Sequence, residues 1–488
     1  MHPTALGLVL IPLSLLWAAN PVRLLQLAFV AAIFEAGAAL VLGGSFGLPP
    51  AMVPGLLFVT YVTAQYALGM RYPGEGQVLS TMLPLFALLA YALVSVMILP
   101  QTFQGTIMVW PQRPDLLNPG YVPLAFNSGN ITQSMYLAMN VGVATCAALL
   151  VTRHAIPYRK LMKAYLLGGY IAVGIAFWQF ASRIAGLPFP SDVIYSNPGW
   201  AIVAQALGSV PRVQGTFSEP AGLAFYLSGL CFCCLWLTAH GHRIMRVNIL
   251  LGLSIFAMLL STSTTGLLTL AVGLPVILIF TAARGDRTAL ARLLKTAGVM
   301  AVVGSLVLVP AFIMKPSLMD SVQTVITSTM SKGDSQSYTD RSSLDASAVA
   351  TIGQTDGLGV GWGSFRASSL LPGLLANAGV FGVLMVVLLG WRLARLVRRA
   401  GAVSRGHQGQ IVVDGFTAAL CGQLAAALLS APTIGSLAFF LQLGCVVGTA
   451  ARIVTEQRSP GQRPRASART WHLAPARTPS REMDSVTP

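Results

Sequence analysis

Long apolar runs, separated by short charged or glycine-rich segments, recur along almost the whole chain. A membrane helix needs about 17–25 apolar residues. Runs near that length lie at 4–19, 24–47, 51–68, 79–99, 135–151, 164–182, 220–239, 247–260, 266–281, 297–314, 371–391, 411–429 and 434–454. Only 9% of the 488 residues are charged and 55% are apolar, more than one soluble core could bury. We therefore predict an all-α, polytopic integral membrane protein with about 12–13 transmembrane helices in residues 1–455.

Loops rich in arginine and lysine give the orientation of these helices. The basic loops lie at 152–163, 240–246, 282–296 and 392–410, and a basic tail that we expect to be disordered covers 456–488. By the positive-inside rule these segments face the cytoplasm. The opposite face then carries two large loops, 100–134 and 315–370. Because the net charge of +16 follows from this orientation, it does not indicate a nucleic-acid partner.

Few lysines and arginines lie on the opposite face, and three of its arginines are informative because they depart from this charge bias. Arg212 belongs to the polar segment PRVQGTFSEP, which also contains Glu219 and directly precedes an apolar run. Arg341 and Arg366 lie in the loop 315–370. A charged pair beside a membrane span points to ligand binding or chemistry. Each arginine could instead form an ordinary ion pair, and Glu219 could serve only to orient Arg212.

Two polar segments of this face are further candidates for ligand contacts. The hydroxyl run 261–265, which includes Ser263 and Thr264, could bind sugar or phosphate or could merely cap two helix ends. The glycines of GLGVGWG, among them Gly359 and Gly361, permit close backbone approach. They could form an anion-binding nest or a tight docking turn.

Glu35 is a charge inside the predicted span 24–47, which makes it a functional candidate by default. It could also snorkel, stay protonated, or pair with Arg23 or Arg71. The cysteines at 231, 233 and 234 have no histidine or carboxylate among them, so we interpret them as apolar packing and predict no metal or cofactor.

Three segments carry a resemblance to a known family. They are RVQGTFSEPAGLAFYL (212–227), LSTSTTGLLTL (260–270), and the loop that holds Asp340, Arg341 and then GLGVGWGSF (357–365). In this order, and on one predicted face, they resemble the O-antigen polymerase and ligase family of bacterial inner-membrane glycosyltransferases. The similarity in hydropathy extends over roughly residues 20–450, and the motifs cover about a fifth of that.

The resemblance implies an enzyme that acts at the periplasmic face of the inner membrane on an undecaprenyl-pyrophosphate-linked glycan. Arg212 and Arg341 would act in catalysis by binding phosphate oxygens, and Glu219 would be the general base. Arg366, Ser263, Thr264, Gly359 and Gly361 would bind substrate. Besides membrane lipid, the partners implied are a chain-length regulator and a flippase.

One departure favours the polymerase branch of this family over the ligase branch. Ligases carry a His-Asn pair after the glycine-rich turn, whereas no histidine occurs anywhere in 315–370. We therefore expect polymerisation of lipid-linked repeat units into O-antigen or exopolysaccharide. A ligase that passes glycan to another acceptor is the first alternative. A polysaccharide transporter or flippase is the second, although no internal repeat is visible and the polar groups collect on one face.

Overall fold

The computed structural model describes residues 2–43, 46–112, 120–201, 206–207, 210–283, 287–314, 323, 327, 336–403, 408–430 and 435–458. The helices are α1 (Ala5–Leu16), α2 (Pro21–Ala31), α3 (Met52–Ala67), α4 (Glu75–Thr102), α5 (Ser128–Val151), α6 (Tyr158–Ala185), α7 (Ser191–Ile194), α8 (Pro220–Ala239), α9 (Val247–Leu260), α10 (Thr264–Ala283), α11 (Arg287–Met314), α12 (Gln336–Gln354), α13 (Leu370–Val403), α14 (Gln410–Ser430) and α15 (Leu437–Arg458). The strands are β1 (His2–Pro3), β2 (Leu40–Leu42), β3 (Phe46–Leu48), β4 (Met108–Val109), β5 (Val122–Pro123), β6 (Ala206–Leu207) and β7 (Val210–Pro211).

The all-α, multi-pass membrane architecture is confirmed. In the described part of the chain, seven helices are long and apolar enough to cross a membrane: Glu75–Thr102, Ser128–Val151, Tyr158–Ala185, Pro220–Ala239, Leu370–Val403, Gln410–Ser430 and Leu437–Gln457. Shorter apolar helices are Ala5–Leu16, Pro21–Ala31, Val247–Leu260 and Thr264–Ile279. Helix α3 also coincides with the predicted span 51–68, and α11 contains the predicted span 297–314 but begins earlier, at Arg287. Most of the tail predicted to be disordered, 459–488, lies outside the described residues.

Small residues allow the central helices to approach closely. Gly444 and Gly448 of α15 face the backbone of α5, where a Cβ on either glycine would stand 2.3 Å from the carbonyl oxygen of Ala144 or Ala148. Gly422 of α14 meets the backbone of α8 at Ser228 in the same way. Such contacts drive helix association inside a bilayer, where the hydrophobic effect between helices is absent.

The span predicted at 24–47 is wrong in its second half. Helix α2 ends at Ala31, the backbone from 32 to 39 is irregular, and Leu40–Leu42 and Phe46–Leu48 form an antiparallel hairpin to which His2–Pro3 adds a third strand. Hydropathy cannot detect this break, because most of residues 24–41 is buried in protein and is apolar whether helical or not.

Two other segments satisfy the backbone groups that the break leaves free. The N–H of Ala36 donates to the carbonyl of Thr216 (3.0 Å), and the Thr216 hydroxyl donates to the carbonyl of Ile33. The N–H of Asn197 donates to the carbonyl of Ala36 (3.2 Å). Irregular backbone is tolerated at membrane depth only where protein or water supplies such partners. These hydrogen bonds connect three segments to one another: 33–38, 195–200 and 212–219.

The two predicted large loops pack on each other. Strands β4 and β5 pair within the first loop, and Ile107, Val109 and Leu124 form a buried cluster with Ala348 of α12 and with Phe365. The glycine-rich turn continues this packing. Gly357, Gly359, Gly361 and Gly363 all have φ between +77° and +93°. The turn therefore joins α12 to α13 and covers the ends of α4 and α5.

The glycines of this turn are required by close approach. A Cβ on Gly359 would lie 2.7 Å from the carbonyl oxygen of Ala376, and one on Gly361 would lie 2.9 Å from Pro100. The N–H of Gly359 donates to the Thr355 hydroxyl (2.9 Å), and the N–H of Val360 donates to the Ala376 carbonyl (2.7 Å). With these N–H groups engaged, packing accounts for the two glycines. Their assignment to substrate binding stays a prediction.

Gly359→Ala should lower the free energy of unfolding. A non-glycine residue in the left-handed region costs about 1–2 kcal/mol, and here the new methyl group would also meet the Ala376 carbonyl. Thermal unfolding of the purified protein in detergent measures the effect. Gly353→Ala, in α12 with open space around it, is the matched control and should be neutral or stabilising by up to about 1 kcal/mol. Equal melting temperatures for the two variants would contradict this account of the turn.

Candidate functional site

The segment 212–219 enters the bundle beside α6 and is held there by its backbone. Gln179 of α6 accepts hydrogen bonds from the N–H groups of Gln214 and Gly215, both at 2.9 Å. Its amide nitrogen donates to the Tyr195 hydroxyl (2.6 Å), which in turn donates to the Gly215 carbonyl (2.9 Å). Gly215 has a φ of +59° and rests against Ala176. The side chains of the segment are therefore presented from a rigid, recessed loop.

Arg212 is half-buried at the start of this segment. Its Nε donates to the Thr262 hydroxyl (3.2 Å), and its carbonyl accepts a hydrogen bond from Arg183 of α6. Burial lowers the pKa of Arg212 from its usual value, the nearby charge of Arg341 lowers it further, and Glu219 opposes both. Arg212 therefore lies within reach of one cation and one carboxylate.

Arg341 reaches the same place from α12. One guanidinium nitrogen donates to the Ser430 hydroxyl at the end of α14 (2.6 Å). The charge of Arg341 acts on that of Arg212, so two arginines that are far apart in the sequence lie in one region of the structure, and their part in catalysis stays a prediction. Two like charges held near each other in a half-buried setting favour an anion between them. Guanidinium groups suit phosphate oxygens because they can donate two parallel hydrogen bonds.

Glu219 stands immediately before α8, with Pro220 in the first helical position. It is half-buried, and within the described residues its side chain makes no hydrogen bond. Glu219 is the N-cap residue of α8, but its side chain makes no capping hydrogen bond. A carboxylate near Arg212 but not bound by a structural hydrogen bond is available to accept a proton from a ligand.

Glu35 lies in the break after α2, against the same helix end. Its carboxylate accepts hydrogen bonds from the Ser218 N–H (3.4 Å), the Ser218 hydroxyl (3.2 Å) and the Trp200 indole (3.4 Å). Glu35 is thereby hydrogen-bonded to the residue that directly precedes Glu219. Among the described residues, Glu35 forms no ion pair with Arg23 or Arg71, whose guanidinium groups lie over Trp17 and Tyr66 instead.

Among the hydroxyl residues of 261–265, the contact with Arg212 is made by Thr262. Ser263 is buried and its N–H donates to the Ser261 hydroxyl (3.3 Å), while Thr264 is half-buried at the start of α10. Thr262 has a φ of +47°, which turns the chain between α9 and α10. Ser263 and Thr264 are therefore near the arginine, but a substrate contact of either stays a prediction.

Arg366 is not brought to the arginine pair. Its side chain is exposed, its N–H donates to the carbonyl of Trp110 (2.9 Å), and within the described residues its guanidinium makes no hydrogen bond. Nor is it among the charges that act on Arg212. A role for Arg366 in substrate binding stays a prediction.

An apolar cavity of about 110 Å³ lies among α4, α5, α13, α14 and α15. Its lining includes the amides Gln112, Gln133 and Asn377, together with Trp362 and Gly363 of the glycine-rich turn. Its remaining lining is mostly leucine and phenylalanine: Leu85, Leu88, Leu374, Leu424, Phe440 and Leu443. The arginines do not line it. The cavity therefore offers room for a hydrocarbon chain rather than for a charged group.

Sequence reasoning missed several residues that build the site. Gln179 could have been found, because an amide inside an apolar run is itself a functional signal. Trp200 and Tyr195 carry no such signal, since their side chains meet the site only because backbone contacts bring distant segments together. Arg183 was visible only as one of the few arginines on this face.

No metal-binding group of three or more histidine, cysteine or acidic side chains is found in the part of the chain that the structure describes. Comparisons with known proteins add no assignment: no protein-family model matches the chain, and no curated protein is similar to it.

Proposed function

We propose that the protein is a glycosyltransferase that polymerises undecaprenyl-pyrophosphate-linked repeat units at the periplasmic face of the bacterial inner membrane. One observation carries the proposal: the charges of Arg341 and Glu219 both act on Arg212, and the Glu219 carboxylate makes no hydrogen bond with the described residues. This arrangement combines an anion site with a proton acceptor, which the transfer of a sugar from a pyrophosphate carrier requires.

In the proposed reaction, a hydroxyl oxygen of the next unit attacks the anomeric carbon of the growing chain. The bond from that carbon to the pyrophosphate oxygen breaks, and the lipid pyrophosphate leaves with the electron pair. Arg212 and Arg341 stabilise the charge that develops on the leaving group. Glu219 takes the proton of the attacking hydroxyl.

Two further features support a lipid-linked substrate and this orientation. The apolar cavity beneath the glycine-rich turn is suited to part of a polyprenyl chain. The basic loops, such as 152–163 and 240–246, lie at the other ends of the helices that present the site. By the positive-inside rule, the site then faces the periplasm.

Reconstitution tests this function. Purified protein in liposomes is mixed with the lipid-linked unit extracted from a strain that lacks the protein. A polymerase converts this single substrate into a ladder of longer glycans. A ligase gives product only when lipid A core or a protein acceptor is added. A transporter moves the unit without changing its length.

Arg212→Ala and Arg341→Ala should each lower the single-turnover rate by about 10²–10³-fold, the cost of losing one preorganised donor to a developing anion. Lysine at either position should recover only part of the rate, because the two-pronged donor is lost. Rates are measured at equal protein amounts in the reconstituted system. The control is Arg398→Ala, an exposed arginine near the end of α13 that is remote from the site. A full ladder from both alanine variants would rule out the arginine pair as the anion site.

Glu219→Gln distinguishes a base from a residue that only orients Arg212. Glutamine keeps the size of the side chain but cannot take the proton, so turnover should fall by about 10²–10⁴-fold while donor binding is retained. No structural hydrogen bond is lost, because Glu219 makes none within the described residues. Donor affinity and single-turnover rate are measured separately, with Glu75→Gln at the start of α4 as the control. Near-wild-type turnover would exclude the general-base role.

A further inference from the structure

The charged groups of the site are arranged in a series. Arg341 and Glu219 both act on the charge of Arg212. Glu35 accepts hydrogen bonds from the N–H and the hydroxyl of Ser218, the residue before Glu219, and within the described residues it forms no ion pair with an arginine. Glu219 therefore lies between the two arginines, which form the positive side of the site, and Glu35, which forms the negative side. A pyrophosphate would be attracted to the first side and repelled from the second.

Glu35 and Trp200 form one edge of the negative side. The indole N–H of Trp200 donates to the Glu35 carboxylate (3.4 Å), and the tryptophan side chain is 37% exposed. The backbone contacts from Asn197 to Ala36 and from Ala36 to Thr216 hold the tryptophan, the carboxylate and the Glu219 loop in one arrangement. An exposed aromatic ring thus stands next to a carboxylate that is held in place by backbone bonds.

The chemistry of this edge suits a neutral sugar. A pyranose presents an apolar C–H face, and an exposed aromatic ring can pack against it. The hydroxyl groups at the rim of the sugar can donate hydrogen bonds to a carboxylate. The three hydrogen bonds that Glu35 accepts are 3.2–3.4 Å long, at or beyond the usual upper limit, so its oxygens can still accept stronger ones. An anionic ligand would meet two carboxylates here.

We propose that Glu35 and Trp200 form a subsite for a neutral pyranose of the acceptor glycan, next to Glu219. The assignment of this sugar to the acceptor rests on the function proposed above. A hydroxyl of the bound sugar then lies toward Glu219, and the donor pyrophosphate lies on the far side of Glu219, between the arginines. The subsite therefore selects the acceptor by its hydroxyl groups and its lack of charge.

Binding of a lipid-free glycan tests the subsite without requiring turnover. The probe is the repeat-unit oligosaccharide released by mild acid from the lipid-linked unit that accumulates in a strain lacking the protein. Calorimetry on the purified protein should show that Trp200→Ala and Glu35→Gln each weaken binding by about tenfold or more. Trp200→Phe keeps an aromatic ring and should lose less. The affinity for inorganic pyrophosphate should be unchanged in all three variants. This control distinguishes loss of the sugar subsite from unfolding of the whole site, because unfolding would weaken pyrophosphate binding too.

Matched controls lie on the same side of the molecule. Trp178→Ala removes a tryptophan that is 44% exposed and whose indole donates to the Pro188 carbonyl instead of to a carboxylate. Asp192→Asn removes an exposed carboxylate from the short helix α7. Both should bind the oligosaccharide like the wild type. Unchanged affinity in folded Trp200→Ala and Glu35→Gln would overturn the proposal.

A second measurement uses the wild-type protein, so it does not depend on a variant that folds. Bound oligosaccharide should protect Trp200 from oxidation by N-bromosuccinimide, as mapped by mass spectrometry, and should leave Trp178 reactive. Equal oxidation of Trp200 with and without the sugar would also overturn the subsite.

The two proposals can be refuted independently of each other. Protection of Trp200 without any polymer in the reconstituted assay refutes the polymerase, and polymer formation without protection refutes the subsite.

Discussion

The site depends on one constraint, the need to satisfy backbone polar groups where a helix stops inside the bundle. Helix α2 ends at Ala31, and the carbonyl and N–H groups that follow find their partners in the segments around Asn197 and Thr216. An unsatisfied group at this depth would cost several kcal/mol. These hydrogen bonds therefore bring three distant segments into contact. Each segment carries one side chain of the site: Glu35, Trp200 or Glu219.

The charged side chains of the site lie around the point where these three segments meet. Gln179 fixes the backbone at Gly215. Before it, Arg212 donates to Thr262 and feels the charge of Arg341, and after it, Ser218 donates to Glu35 beside Glu219. Two arginines within reach of each other are unfavourable without an anion, and two neighbouring carboxylates are unfavourable without a proton or a hydrogen-bond donor. A substrate with a pyrophosphate at one end and hydroxyl groups at the other relieves both conditions. A folded protein that keeps such opposed charges pre-positioned can use them in a transition state without reorganisation.

Much of the fold follows from hydropathy, and part of the site from local sequence. The predicted spans 220–239 and 247–260 coincide with helices α8 and α9, because each is a uniform apolar run bounded by charged or polar residues. Arg212 and Glu219 were predictable as neighbours since they share one short segment. The break after Ala31 was not predictable, because burial of its flanks in protein makes an irregular backbone as apolar as a helix. Trp200 was hidden for the same reason, since its place depends on that break.

The most direct test is the structure of the Glu219→Gln variant, determined by electron cryo-microscopy with the proposed substrate, a lipid-linked repeat unit. The account predicts pyrophosphate density between the guanidinium groups of Arg212 and Arg341, with the first sugar turned toward position 219 and the lipid chain entering the apolar cavity beneath the glycine-rich turn. Pyrophosphate density at Arg366 or on the basic face, with Arg212 bound only to protein groups, would contradict it.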